Sequence, residues 1–128
     1  MENSFRTIQS RDNMGKVVVE FKPDDTVNVV LDVKPNFQFN TDATYIIAGG
    51  LGGLGRSVSR WFVERGARHL ILLSRSGAKS TEAQELVAEL TSSRTQVKTP
   101  ACDIADRKAL RLALDECLRD MPVVRGCI

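Results

Sequence analysis

Thr44-Tyr45-Ile46-Ile47-Ala48-Gly49-Gly50-Leu51-Gly52-Gly53-Leu54-Gly55-Arg56 decides how the whole chain is read. Thr44 to Ala48 is a short apolar run of the kind a buried parallel strand uses. Five of the nine glycines of the chain then fall between Gly49 and Gly55. Gly50, Gly52 and Gly55 satisfy G-x-G-x-x-G. Beyond them Leu54, Val58, Trp61 and Phe62 recur at i, i+4, i+7 and i+8, which predicts a helix with one apolar face. Strand, glycine turn and helix in that order form the context a dinucleotide fingerprint requires. Side chains on the turn would block the approach of backbone to a diphosphate. The helix offers unpaired N–H groups and a positive dipole end. A bound dinucleotide is therefore expected, the plainer alternative being a glycine turn without a ligand.

Downstream, strand and helix signals alternate. Gly66 stands where a helix C-cap belongs. Leu70-Ile71-Leu72-Leu73-Ser74 reads as a second buried strand. Thr81 with Gln84 three residues on reads as a capping box, opening a helix that turns Leu86, Val87 and Leu90 inward. Gln96 to Cys102 is a weaker third strand. Asp106 reads as the N-cap of a third helix, with Leu110, Ala113, Leu114, Cys117 and Leu118 as its apolar stripe. Pro122-Val123-Val124 opens a fourth strand. The order βαβαβαβ predicts an α/β fold, a partial Rossmann fold with one parallel sheet and helices on both faces. Ligands of such sheets bind at the carboxyl ends of the strands, which is where the glycines lie.

The end of the second strand separates the two nicotinamide cofactors. An NAD site places Asp or Glu about 20 residues beyond the glycines, on the ribose hydroxyls. Here Ser74-Arg75-Ser76 stands there. A carboxylate would repel a 2′-phosphate, whereas Arg75 can grip one through a charge-assisted fork. NADP(H) is expected over NAD(H). Asp103, at the end of the third strand, reads either as a neighbour of the adenine or as a plain loop or capping acid.

Upstream the pattern changes. Residues 1–42 carry 5 basic and 7 acidic side chains, and residues 43–128 carry 13 and 9. Lys16-Val17-Val18-Val19-Glu20-Phe21 and Val27-Asn28-Val29-Val30-Leu31-Asp32-Val33 are strand candidates separated by a turn cluster at Lys22-Pro23-Asp24-Asp25. They form either a hairpin or an extended, partly ordered linker. The expectation is a short strand-rich N-terminal segment. Phe37 and Phe39, two apart, share one face of an extended segment.

Composition narrows the function. With 128 residues, 42% hydrophobic, and a net charge of +2, the chain suffices for one modest core. The charge lacks the basic excess of a nucleic-acid binder. No apolar run approaches the roughly 20 residues of a membrane span, and the first residues lack a signal-peptide core. A cytoplasmic protein is expected, with no membrane and no nucleic-acid partner. Cys102, Cys117 and Cys127 fit neither a disulfide framework nor a metal pair. With His69 the only histidine, no metal site is expected.

Ala48-Gly49-Gly50-Leu51-Gly52-Gly53-Leu54-Gly55-Arg56 resembles the cofactor loop of polyketide synthase ketoreductases, members of the short-chain dehydrogenase/reductase superfamily. The resemblance continues through His69-Leu70-Ile71-Leu72-Leu73-Ser74-Arg75-Ser76-Gly77, Cys102-Asp103-Ile104-Ala105-Asp106 and Arg125-Gly126-Cys127-Ile128, covering residues 43–128. It implies that Gly49, Gly50, Leu51, Gly52, Gly53 and Leu54, with Gly55 closing the motif, hold the diphosphate. It further implies that Ser74 and Arg75 hold the 2′-phosphate, and that Asp103 and Ile104 border the adenine. The family usually places Thr where Ala48 stands, so a hydroxyl that braces the loop is missing. Phe5-Arg6-Thr7-Ile8-Gln9-Ser10-Arg11-Asp12-Asn13-Met14-Gly15-Lys16-Val17-Val18-Val19 resembles the end of an enoyl reductase, the domain that precedes the ketoreductase in highly reducing fungal-type synthases. The domain reading is then residues 1–21 as an enoyl-reductase remnant, 22–42 as a linker, and 43–128 as the amino-terminal half of the ketoreductase.

The resemblance implies an NADPH-binding half of an enzyme that reduces β-ketoacyl groups on an acyl carrier protein, working beside other synthase domains. The family's catalytic Ser, Tyr and Lys lie beyond the fourth strand. The single tyrosine, Tyr45, precedes the cofactor loop and reads as strand packing, so no catalytic residue is carried over. The alternative is an inactive truncated fragment that binds NADP(H) or persists as a structural remnant. A chain of these residues alone is expected to be marginally folded or to self-associate, because half a sheet leaves strand edges and apolar surface uncovered.

Overall fold

The computed structural model describes residues 2–10, 14–18, 20, 22–24, 26 and 37–128. The chain divides into Met1–Lys34 and Pro35–Ile128.

In the first unit the described residues depart from the strand-rich expectation. Glu2–Gln9 forms a helix, α1, extended by a bond from the Ser10 amide to the Arg6 carbonyl. Lys16–Val18 and Glu20 carry no strand. A β-branched run becomes a strand only when a partner completes its ladder, and its candidate partner, residues 27–33, lies outside the described residues. The sequence analysis assigned no element to these residues, although they are amphipathic at helical period.

In the second unit the alternation of strand and helix holds throughout. The elements are β1 (Thr44–Ala48), α2 (Gly53–Glu64), β2 (His69–Leu73), α3 (Thr81–Ser92), β3 (Gln96–Lys98), α4 (Arg107–Cys117), a 3-10 turn (Leu118–Asp120) and β4 (Val124–Cys127). The strands form one sheet in the order β3-β2-β1-β4, and every pairing is parallel. β1 runs in register with β2 from Thr44 opposite His69 to Ala48 opposite Leu73.

Side chains alternate across the sheet with the period of a strand. Tyr45, Ile47, Leu70 and Leu72 face α2 and α3 through Phe62, Leu86 and Leu90. Ile46, Ile71 and Leu73 face the other way, against Cys117, with Leu110, Leu114 and Leu118 around it. Helices therefore cover both faces, and Leu70, Ile71 and Leu72 are 0% exposed. The expected Tyr45 packing is seen. Its ring lies in an aromatic cluster with Phe39 and Phe62, and its hydroxyl accepts from the Asn40 amide at 2.9 Å. Phe39 stacks on Phe62 at 4.1 Å and touches Phe37 at 4.9 Å, so the two phenylalanines do share a face.

Several boundaries differ from the expectation: β2 is His69–Leu73 rather than the expected 70–74, and β4 begins at Val124, two residues after Pro122. The N-cap of α3 is Ser80, whose Oγ accepts from the Ala83 amide, one residue before the expected Thr81. β3 ends at Lys98, short of Cys102, because Pro100 has no N–H to give the ladder. Pairing resumes only as a bridge between Ser74 and Ala101.

Candidate functional site

A parallel sheet gathers all its carboxyl ends on one side. Here it brings together the turn after β1, the Ser74–Gly77 turn after β2 and Cys102–Ile104 beyond β3. They enclose a cavity of about 560 Å³, within the range of small-molecule sites.

The glycine turn is braced by backbone alone. The Gly49 amide donates to Leu73 O at 2.8 Å, the Gly50 amide to Ile47 O at 3.2 Å and the Gly52 amide to Gly49 O at 2.9 Å. These bonds fix the loop without the hydroxyl that Ala48 lacks. Gly49 has φ of +70°, which an L side chain rarely adopts. A Cβ on Gly55 would collide with the Gly49 carbonyl oxygen and with Gly50 Cα, so the first turn of α2 packs directly on the loop. Ser59 holds that turn from within, its buried Oγ donating to Gly55 O at 2.8 Å. α2 has Gly52 at its N-cap, no side-chain cap bond and no acid in its first turn. Its leading N–H groups thus have no side-chain acceptor, and the dipole end carries no counter-charge.

Of the residues expected at the site, Gly49, Leu51, Gly52, Ser74, Arg75, Asp103 and Ile104 line the cavity. Gly50 and Gly55 lie behind it. A Cβ on Gly50 would press on Leu72 Cβ at 2.9 Å, so this glycine lets the turn sit on β2. Gly53 opens α2, and Leu54 beside it is 81% exposed.

Arg75 is the only cation and Asp103 the only acid among the lining residues. Arg75 is exposed. Asp103 is committed locally, since its Oδ1 accepts from the Ala105 amide at 3.0 Å. That bond makes it a turn acid as well as a rim residue. Ser76, Gly77, Ser80, Ala83, Cys102 and Leu73 also line the cavity and were not singled out from the sequence. Ser76 and Gly77 directly follow Arg75 and Cys102 directly precedes Asp103, so adjacency was the available signal; Ala83 gave none. Glu82, in the first turn of α3, is held below the usual carboxylate range by its own amide N–H, then by the Ser80 hydroxyl and the Arg56 charge. Among the described residues no three His, Cys, Asp or Glu side chains group to hold a metal, and no helix is long and apolar enough to cross a membrane.

The arrangement can take an anion at the α2 N-terminus and a second one at Arg75. The family model described as "KR domain" matches residues 43–128. Highly reducing polyketide synthase 40 of Fusarium mangiferae is 47% identical over all 128 residues. The 6-hydroxymellein synthase cdmE of Talaromyces verruculosus is 49% identical over 94% of the chain. The chain spans 5% of the length of each of these relatives. Among solved structures, A-type ketoreductases from a modular polyketide synthase superpose with a TM-score of 0.60 at 42% identity, over 66% of this chain and 18% of theirs. An A1-type ketoreductase gives 0.61 at 39% identity, over 73% and 20%. With the parallel sheet and the glycine turn already in place, these matches mean that the chain belongs to the KR domain family, the ketoreductases of polyketide synthases.

Proposed function

We propose that this chain is the NADPH-binding half of a ketoreductase that reduces β-ketoacyl groups carried on an acyl carrier protein. The observation that carries the reading is Arg75. It stands exposed on the rim of the cavity and makes no hydrogen bond or ion pair among the described residues. A guanidinium left free beside a nucleotide-sized cavity matches the 2′-phosphate that distinguishes NADPH from NADH.

The other residues fit the rest of the cofactor. The N–H groups that open α2 would receive the diphosphate. Gly49 and Gly52 keep that approach free of side chains. Ser74 would add a hydroxyl beside Arg75, and Asp103 and Ile104 would flank the adenine. NADPH, when bound, supplies the hydride. The chain's own contribution is to bind and orient the cofactor. General acid catalysis needs a donor within hydrogen-bond reach of the substrate, and no residue of this chain is assigned to it. The carrier-bound substrate and the neighbouring synthase domains are proposed from the relatives, which are named as polyketide synthases. Residues 1–21 as an enoyl-reductase remnant, 22–42 as linker and a cytoplasmic location belong to the same proposal.

The test is titration of the chain with NADPH and NADH, followed by reduced-nicotinamide fluorescence. NADPH is expected to bind the more tightly. Arg75→Asp is expected to weaken NADPH about 10- to 100-fold, the loss of a charge-assisted contact, and to spare NADH. Equal loss of both cofactors would overturn the assignment of Arg75. Absence of binding by either would favour the alternative, a structural remnant.

A further inference from the structure

Gly77 stands two positions beyond Arg75. β2 leaves the sheet at Ser74, which is tied to the continuation of β3 by a bond from the Cys102 amide to Ser74 O at 2.8 Å. The chain must then reverse over a few residues before α3 begins. It does so through Gly77, at φ of +62°. Gly77 is buried, whereas Arg75 and Ser76 before it are exposed. Its carbonyl oxygen is held from two sides, by the Lys79 amide at 3.0 Å and by the Ser74 hydroxyl at 3.4 Å. Its Cα faces the segment that follows β3, and a Cβ there would lie 3.3 Å from Thr99 O and 3.4 Å from Ala101 Cβ. The turn from Ser74 to Gly77 is thus closed on itself and seated against the Pro100 break, with Arg75 and Ser76 at its apex. All four residues line the cavity.

We infer that Gly77 is a positioning residue for cofactor choice. Its left-handed backbone and its close seat on Thr99 and Ala101 set the direction in which Arg75 meets a 2′-phosphate. Gly77 touches no charge itself and acts through Arg75. This rests on the NADPH reading above. A side chain at Gly77 disfavours the left-handed conformation and crowds the Thr99 carbonyl. The turn then relaxes and the apex moves, while the glycine turn after β1 is untouched. Discrimination between the two cofactors falls without loss of the diphosphate site.

The experiment measures dissociation constants of NADPH and NADH for the full chain and for Gly77→Ala. NADH carries the same diphosphate and reports whether the rest of the site survives. The expected result is a fall of about tenfold in the NADPH preference, with NADH affinity within about twofold of the unmodified chain. Gly77→Asn, whose side chain tolerates left-handed backbone, is expected to keep more of the preference than Gly77→Ala, and it carries the measurement if the alanine variant does not fold. A preference that stays unchanged in Gly77→Ala, or in Gly77→Asn where the alanine variant does not fold, overturns the inference. So does an equal loss of both cofactors, which would make Gly77 a merely structural residue. An unmodified chain that shows no NADPH preference overturns the NADPH reading and this inference with it. A normal preference that survives at Gly77→Ala overturns this inference alone.

Discussion

Thr95 shows how much a single atom decides. It is 2% exposed, and its Oγ1 has no hydrogen-bond partner among the described residues. A hydroxyl taken out of water and left unpaired costs about 1–3 kcal/mol. Thr95→Val keeps the volume and removes that group. The variant is expected to be more stable by about 1 kcal/mol, read as a higher urea midpoint at unchanged slope. The same scale explains what the sequence revealed of the site. Arg75 was legible because a charge stood where a carboxylate is otherwise needed. Gly49 and Gly55 were legible as members of one glycine cluster, and the structure uses them differently, Gly49 for its left-handed backbone and Gly55 for want of room for a Cβ. Gly77 was not singled out, since one glycine after a serine signals a turn and says nothing of what the turn aims. The committed Oδ1 of Asp103 was open for a similar reason, as turn acid and rim residue share one sequence pattern.

In the second unit, helices and strands were legible wherever a period could develop. α2, α3 and α4 run 11 to 12 residues each, although of the face expected for α2 only Val58 and Phe62 pack on the core, while Leu54 and Trp61 are exposed. β1 and β2 were marked by unbroken apolar runs. Errors fell at the ends, where one side chain decides. Ser80 displaced Thr81 as cap because it is the residue whose Oγ reaches the Ala83 amide. Pro100 cut β3 short. The far end of α3 carries an element-scale prediction. Arg94 follows the C-cap with φ of +59°, a conformation that costs a residue with a Cβ about 1–2 kcal/mol. Arg94→Gly relieves that cost and adds freedom to the unfolded chain. A net gain of about 0.5 kcal/mol is expected, measurable as a rise in melting temperature. A lower melting temperature would mean that the Arg94 side chain stabilises the fold by more than its backbone costs.

At the scale of the molecule, the sheet has two outer strands, β3 and β4, and among the described residues nothing pairs with their outer sides. Val123 and Ile128, flanking β4, are both more than half exposed. Unpaired edges beside apolar surface recruit further strands. A polypeptide of these 128 residues is expected to self-associate with rising concentration in sedimentation velocity and to melt broadly. A monodisperse monomer with one sharp transition would count against this. The parallel topology also has a consequence in time. β1 pairs first with β2, 25 positions on by the Thr44–His69 register. Its other side waits for β4, and the Thr44 hydroxyl meets its acceptor, Pro122 O, across 78 residues. Once β2 has begun at His69, a ribosome adding about 5–20 residues each second needs about 3–11 s to reach Pro122 and deliver that second neighbour. For that interval the central strand of the finished sheet is an edge, and whatever shields it during synthesis governs the yield of folded protein.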